Sequence, residues 1–144
     1  MNELEIIYYM DIKTDEVLPL IQKKGTVNSS KFMLDTLNRV FAICGDGIDN
    51  RQDNKVIFLN GYYIDLLKSG YSAKNMERLL REAYYNAQSI FVMDALMEQI
   101  EILQNVSRIY NEDKNVVGLK EFFMMPAIQE RVNKKQLKRS RMTR

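Results

Sequence analysis

The sequence contains no histidine and no tryptophan, and only one cysteine, Cys44. The absence of histidine removes the commonest general base, the usual serine and cysteine triads, and most zinc and iron sites. A single cysteine excludes an internal disulfide and is typical of a protein from a reducing compartment. Because Cys44 falls on the apolar side of an amphipathic segment, it is better interpreted as a small core residue than as a nucleophile. These absences argue against an enzyme.

Phosphate-binding glycine loops and long apolar runs are also missing. Neither Gly-x-x-x-x-Gly-Lys-[Ser/Thr] nor Gly-x-Gly-x-x-Gly occurs among the six glycines, so a nucleotide cofactor is not indicated. No apolar run approaches the roughly 18 residues that span a bilayer. The first five residues are acidic, whereas a secretory signal begins with basic residues. We therefore expect no cofactor, no small-molecule substrate and no membrane, and a cytoplasmic protein, located in the host cytoplasm or the virion if the source is viral.

The charged residues are distributed unevenly along the chain. The sequence has 21 basic and 19 acidic residues, a formal net charge of +2. Residues 131–144 hold seven of the basic residues and no acidic one, so they carry +7 while residues 1–130 carry −5. We expect a single acidic domain over 1–130 and a basic C-terminal arm that contacts nucleic acid or a neighbouring subunit. The basic residues of the arm are Arg131, Lys134, Lys135, Lys138, Arg139, Arg141 and Arg144.

One stretch, residues 72–112, dominates the apolar pattern. It has no proline and no internal glycine, and Ser72 suits the N-cap position of a helix. Its apolar residues recur at gaps of three and four, as one side of an α-helix requires. An unbroken helix over 73–112 would be about 60 Å long, which is more than a domain of this size covers. It must either break, in the polar patch at 86–89, or extend to a partner chain.

The same stretch predicts contacts between chains. Its apolar residues extend beyond one narrow stripe, since Tyr85, Phe91 and Val92 fall beside or behind it. Methionine and tyrosine are frequent in this chain and suit adaptable interfaces, although core packing is their commoner role. We predict an oligomer seam on this helix, formed by Met93, Leu96, Ile100, Leu103 and Tyr110.

The first third of the chain predicts one strand and two helices. Residues 3–12 are rich in β-branched and aromatic side chains, which favours a strand, with a short buried helix as the alternative. Thr14 as N-cap and Gly25 as exit predict a helix over 15–24. Residues 45–55 are rich in glycine, aspartate and asparagine and predict a surface loop. A second helix between Gly25 and this loop has an apolar face of Met33, Leu34, Leu37, Val40, Phe41 and Cys44.

Residues 56–67 are ambiguous. Asn60-Gly61 lies between two apolar runs, which is a strong signal for a β-hairpin with a type I′ turn. Asn60 suits the N-cap of a short helix equally well, and a strand followed by a helix is then expected. Further on, 111–118 predicts a turn, and 119–124 predicts an apolar half-helix that Pro126 interrupts.

Two clusters of acidic residues suggest chemistry only weakly. Asp46, Asp49 and Asp53 could hold a hard cation, but their spacing fails the EF-hand pattern, and aspartate is common in turns. Residues 53–55 (Asp-Asn-Lys) precede an apolar run, the acid-x-Lys-then-strand arrangement of restriction-type nucleases, and residues 11–13 (Asp-Ile-Lys) repeat the triplet. No sheet of several strands is indicated to carry such a centre. We therefore predict no catalytic residues and no metal site.

Sequence-specific DNA binding has limited support. A helix-turn-helix over 15–44 is conceivable, but the linker from Gly25 to Ser30 is long and the second helix is poorly basic. The basic arm has no aromatic residues interleaved with its charges, so it lacks the means to stack on bases. The arm therefore predicts contact with phosphate or with acidic protein groups, and not the recognition of a base sequence.

Together these patterns predict a mainly α-helical domain built around one long helix, about 73–112, with at most a small β element near the N-terminus or at 56–64. The expected function is non-catalytic. We expect an assembly or adaptor subunit, for example a phage or viral connector-like component, that oligomerises through the long helix and engages a neighbouring subunit or nucleic acid with its arm. The alternative is a small nucleic-acid-binding or regulatory protein that uses the arm on phosphates.

Overall fold

The structure is a computed structural model that describes residues 4–10, 17–25, 51–126 and 129–130. The described part is mainly α-helical with a small two-stranded antiparallel sheet near the N-terminus, which confirms the predicted fold class. The predicted helix ending near Cys44, the carboxylates Asp46 and Asp49, and the basic arm lie outside the described residues. The elements are β1 (Leu4–Met10), β2 (Val17–Lys23), α1 (Arg51–Lys68), α2 (Ala73–Asn86), α3 (Ile90–Glu112) and α4 (Leu119–Met124).

The sheet is an antiparallel pair with Leu4 opposite Lys23 and Met10 opposite Val17. The predicted strand at 3–12 is confirmed as β1. The predicted helix over 15–24 is wrong, because residues 17–23 form β2. Pairing with β1 supplies the hydrogen bonds that a helix would have made internally, and residues 18–22 of β2 are all buried. Pro19 is tolerated because both strands of a two-stranded sheet are edge strands.

Helix α1 is continuous through Asn60-Gly61, so the hairpin predicted for residues 56–67 is wrong. Of the alternative, the helix after Asn60 is confirmed, and the strand before it is wrong because residues 56–59 are helical too. Gly61 is a point of close approach between helices: a Cβ there would lie 3.1 Å from N, Cα and Cβ of Leu119 at the start of α4. Glycine in a helix costs about 1 kcal/mol relative to alanine. Here the missing side chain lets α4 pack directly on the backbone of α1, so the glycine signals a helix contact and not a turn.

Of the loop predicted over 45–55, residues 51–55 belong to α1, and residues 45–50 lie outside the described residues. The Asp-Asn-Lys triplet at 53–55 therefore lies in the first turns of a helix, and residues 56–59 continue that helix. The nuclease arrangement considered from the sequence, a triplet followed by a strand, is therefore not formed by this segment, and the triplet at 11–13 lies outside the described residues. The helix-turn-helix considered over 15–44 is not formed either, because residues 17–23 are the strand β2.

The long stretch is two helices and not one, which corrects the single helix predicted over 73–112. The break lies at 87–89, within the polar patch where a break was expected. Each helix has its own serine cap: Ser72 Oγ accepts from the N–H of Asn75 at 3.3 Å, and Ser89 Oγ accepts from the N–H of Phe91 at 3.2 Å. The second cap supplies the hydrogen-bond acceptor that lets a new helix start at Ile90.

Helix α3 lies at the centre of the described fold, where it packs on α2, α1 and β2, while α4 packs on α1. The core between these elements also contains two buried tyrosines whose hydroxyls are paired. Tyr62 donates to the carbonyl oxygen of Ile21, which ties α1 to the sheet, and Tyr63 donates to Oε1 of Gln99, which ties α1 to α3. The largest fully buried side chains are Tyr63, Phe58, Leu20, Ile21, Leu59, Met76, Leu80, Leu96, Ile100, Leu103 and Leu119.

No helix within the described ranges is both long enough and apolar enough to cross a membrane. The longest, α3, has 23 residues but carries acidic side chains along its length. Its buried apolar residues, among them Leu96, Ile100 and Leu103, face the neighbouring elements of the same chain.

Candidate functional site

Helices α2 and α3 form an antiparallel hairpin with a short connection, and its turning end carries three exposed large apolar side chains. We call residues 85–91 the hairpin tip. The exposed fractions are 76% for Tyr85, 67% for Ile90 and 79% for Phe91. Single exposed apolar residues are normal on a protein surface. Three large ones within seven residues, at one end of a rigid hairpin, are the kind of feature that marks an interaction site.

The local sequence explains why these side chains face solvent. Helix α2 ends at Asn86, and Ala87 and Ser89 have extended backbone conformations that turn the chain between the two helices. Tyr84 packs against the core, and the ring of Tyr85 meets it edge-on with centroids 5.7 Å apart. Ile90 and Phe91 occupy the first turn of α3, beyond the point where the neighbouring elements cover that helix.

The hairpin tip is also uncharged. No acidic or basic residue occurs from Ala83 to Met93, in a chain of which 28% is charged. The polar side chains within the tip, Asn86, Gln88 and Ser89, each carry both donor and acceptor atoms. The tip therefore offers apolar surface and neutral hydrogen-bonding groups, with no charge to attract or repel a partner.

The residues predicted to form the oligomer seam lie elsewhere on α3. Leu96, Ile100 and Leu103 are exposed by at most 1% within the single chain, because α1 and α2 cover them. Met93 is half-buried, and Tyr110 is half-buried with the Lys114 ammonium 4.3 Å from its ring centroid. As their spacing predicted, Leu96, Ile100 and Leu103 lie on one side of α3. That face packs inside the fold, so three of the five predicted contacts are unavailable to another chain while the fold is intact.

Away from the tip, α2 and α3 are joined by a cluster of polar side chains on the outer side of the hairpin. Gln104 on α3 donates to Oε1 of Glu77 on α2 at 2.6 Å, and Arg81 donates to the same oxygen at 3.0 Å. The two hydrogen bonds lower the pKa of the Glu77 carboxyl, and the bond from Gln104 has the larger effect. The cluster borders a shallow open depression between the two helices, whose floor is Leu103. Both hydrogen bonds end on the same Glu77 oxygen, so the cluster links α2 to α3 and engages this carboxylate within the hairpin.

The remaining titratable groups with perturbed pKa values also serve the fold. Burial raises the pKa of the Tyr63 hydroxyl, which stays protonated and hydrogen-bonded to Gln99. Burial likewise raises the pKa of the Asp65 carboxyl, although the backbone N–H of Lys120 and the nearby lysines act in the opposite direction. Within the described segments there is no group of three or more His, Cys, Asp or Glu side chains placed to bind a metal.

A second exposed apolar pair lies at the end of α4, where Met124 and Met125 are exposed by 73% and 42%. The apolar spacing of 73–112 placed Phe91 and Tyr85 beside or behind the apolar stripe, and neither was predicted to belong to the seam. The signal that would have found them is the coincidence of a helix break with an uncharged run. A break places both flanking turns at an end of the hairpin, where few neighbours can cover them.

Comparison of the chain with protein families, with curated proteins and with solved structures found no match.

Proposed function

We propose that the protein is a non-catalytic assembly subunit that associates with copies of itself. The observation that supports this proposal is the exposed apolar surface of the hairpin tip. Removing apolar surface from water yields roughly 25 cal/mol per Å². Two aromatic rings and an isoleucine held on a rigid support are therefore a source of binding free energy that the single chain does not use.

The same groups that would suggest an enzyme are engaged in the fold. Asp65, Glu77 and Tyr63 have perturbed pKa values, and perturbed values are a mark of active sites. Each of the three is hydrogen-bonded to a neighbouring element at a helix junction. These hydrogen bonds support a structural role for the three side chains. They favour a functional site on the exposed surface of the protein over one in a cleft.

The test is the mass in solution, measured by light scattering behind a sizing column at low and at high salt. We expect a multiple of the 17.0 kDa chain mass at micromolar or higher protein concentration. The association should persist at high salt, because an uncharged apolar contact is not screened. A mass of one chain under every condition contradicts self-assembly.

Nucleic-acid binding by the basic arm is a second proposal, supported by the seven basic and no acidic residues of 131–144. An arm that neutralises several phosphates loses affinity steeply as salt rises. We expect a gel shift of DNA or RNA at low salt that disappears when Lys138, Arg139 and Arg141 are replaced by serine. A version ending at Glu130 serves as the control, and it should keep the oligomeric state while losing the shift. A shift that survives the truncation contradicts the role of the arm.

A further inference from the structure

Resting on the proposed self-assembly, we propose that two copies of this chain associate tip to tip about a two-fold axis. The contact is formed by Tyr85, Ile90 and Phe91 of each copy. It differs from the seam expected on sequence grounds, because it uses the turning end of the α2–α3 hairpin and leaves the core face of α3 inside the fold.

The chemistry of the tip favours a second copy as the occupant. A two-fold contact places identical patches against each other, so any net charge on the patch repels its own copy. The run from Ala83 to Met93 has no charge to repel. Its amide and hydroxyl side chains can each donate and accept, so they are compatible with the same kinds of group on a second copy. A strongly acidic or basic partner finds no complementary charge on this surface.

The flank of α3 is a poor alternative for the same contact. The acidic side chains Asp94, Glu98 and Glu101 follow each other at helical spacing, and the first basic residue of α3 is Arg108. Two α3 helices lying side by side would bring these carboxylates together, and like charges in contact are destabilising. Meeting at the tip leaves the same carboxylates at the rim of the contact or away from it, where solvent and salt screen them.

The size of the tip determines how strong the association is. An aromatic side chain offers about 150–250 Å², so the exposed fractions of Tyr85, Phe91 and the smaller Ile90 correspond to at most about 450 Å² per copy. Two copies then bury at most about 900 Å², below the roughly 1,200–2,000 Å² of stable interfaces. The dimer is therefore expected to be weak, with dissociation in the micromolar to sub-millimolar range, and to show itself as a mass that rises with concentration.

The first experiment measures mass against concentration, from low micromolar to near-millimolar, by sedimentation equilibrium. The tip variant carries Ile90→Ser and Phe91→Ser, and the matched control carries Met124→Ser and Met125→Ser, which also removes two exposed apolar side chains. We expect the wild type and the control to approach two chain masses. The tip variant should dissociate about tenfold more readily or more. Circular dichroism checks that both variants keep the helical fold.

The outcomes separate this inference from the proposed function. If the tip variant associates as well as the wild type, the tip contact is overturned while self-assembly stands. If the mass exceeds two chains without a plateau, the two-fold geometry is overturned. If the wild type stays at one chain mass throughout, both the contact and the proposed function are overturned.

A cross-linking experiment tests the geometry directly. At a two-fold contact only the residues near the axis face their own counterparts. Gln88 lies in the middle of the tip, so the proposed arrangement expects Gln88→Cys to form a disulfide between two chains under mild oxidation. Arg108→Cys, about 26 Å along α3 from the tip at 1.5 Å per residue, is the matched control, and the wild type reports any bond formed by Cys44. Equal cross-linking of Gln88→Cys and Arg108→Cys would overturn the proposed arrangement.

Discussion

The carboxylate of Asp65 on α1 accepts a hydrogen bond at 3.1 Å from the backbone N–H of Lys120 on α4, 55 residues further along the chain. The N-cap residue of α4 is Gly118, which has no side chain to supply a cap. Asp65 takes that role from another helix. A side chain at Gly118 would clash with the Asp65 carboxylate, so the glycine and the aspartate act together. The Lys68–Glu121 ion pair at 2.6 Å joins the same two helices beside them.

Removing this cap should destabilise the junction between α1 and α4. For Asp65→Ala we expect a loss of about 1 kcal/mol in the free energy of unfolding, the usual cost of a lost N-cap. Asp65→Asn should lose much less at neutral pH, because its amide oxygen can still accept from Lys120. Urea unfolding of the three proteins measures both effects. Equal losses for alanine and asparagine would show that the hydrogen bond contributes nothing.

The charge of Asp65 should make this comparison depend on pH. Burial raises the pKa of Asp65 above its ordinary value of 3.8, so the folded state favours the protonated carboxyl. Its stabilising contribution is complete below pH 3.8 and is lost as the pH rises through the raised value. We expect the stability of the wild type relative to Asp65→Asn to fall between acidic and neutral pH. A difference that stays constant over that range would contradict the assignment.

Glu77 should show the opposite pH dependence. Its pKa is lowered by hydrogen bonds from Gln104 and Arg81, so its contribution is present above the ordinary value of 4.5 and is lost as the pH falls through the lowered value. For Glu77→Gln we expect a loss of about 0.5 kcal/mol at neutral pH, since the cluster is partly exposed. The loss should shrink in acid. Glu82→Gln, an exposed change on the same helix, serves as the control and should have no measurable effect.

Gly61→Ala tests the close approach of α1 and α4. Alanine favours the helix by about 1 kcal/mol, but its Cβ would meet three atoms of Leu119 at 3.1 Å. Helix α4 cannot retreat freely because Asp65 holds its first turn. Overpacking of this kind costs about 1–3 kcal/mol, so we expect a net loss of about 1 kcal/mol in thermal or urea unfolding. An increase in stability would show that α4 can move away from α1.

Tyr63→Phe tests the buried link between α1 and α3. The substitution leaves Oε1 of Gln99, which is 1% exposed, without the hydroxyl that donates to it. A buried group left unpaired costs about 1–3 kcal/mol. The matched control is Tyr85→Phe at the exposed tip, where the loss of a hydroxyl should change stability by less than about 0.5 kcal/mol. Similar effects at the two positions would argue against the buried hydrogen bond.

Local sequence signals located the Ser72 cap correctly and offered the break at 86–89 as one of two alternatives, whereas the cap expected at Thr14 belonged to a helix that residues 17–23 do not form. Ser72 and Ser89 satisfy backbone donors within their own first turns, so their effect depends on a few adjacent residues. The half-helix at 119–124 and the strand at 4–10 were likewise evident from composition. For the candidate site, the sequence placed Tyr85 and Phe91 off the main apolar stripe, which is where the structure has them, but it did not show that a break would bring them to one end.

What the sequence by itself determined is the helical class, the Ser72 cap and the uncharged run at 83–93, because each depends on neighbours in the chain. Only the tertiary structure decided that residues 17–23 are a strand, since their state depends on pairing with β1. It also decided that Gly61 lies inside a helix, since the approach of Leu119 gives that glycine its role. Leu96, Ile100 and Leu103 became core residues, and the hairpin tip stayed exposed, because neighbouring elements cover the middle of α3 and not its first turn.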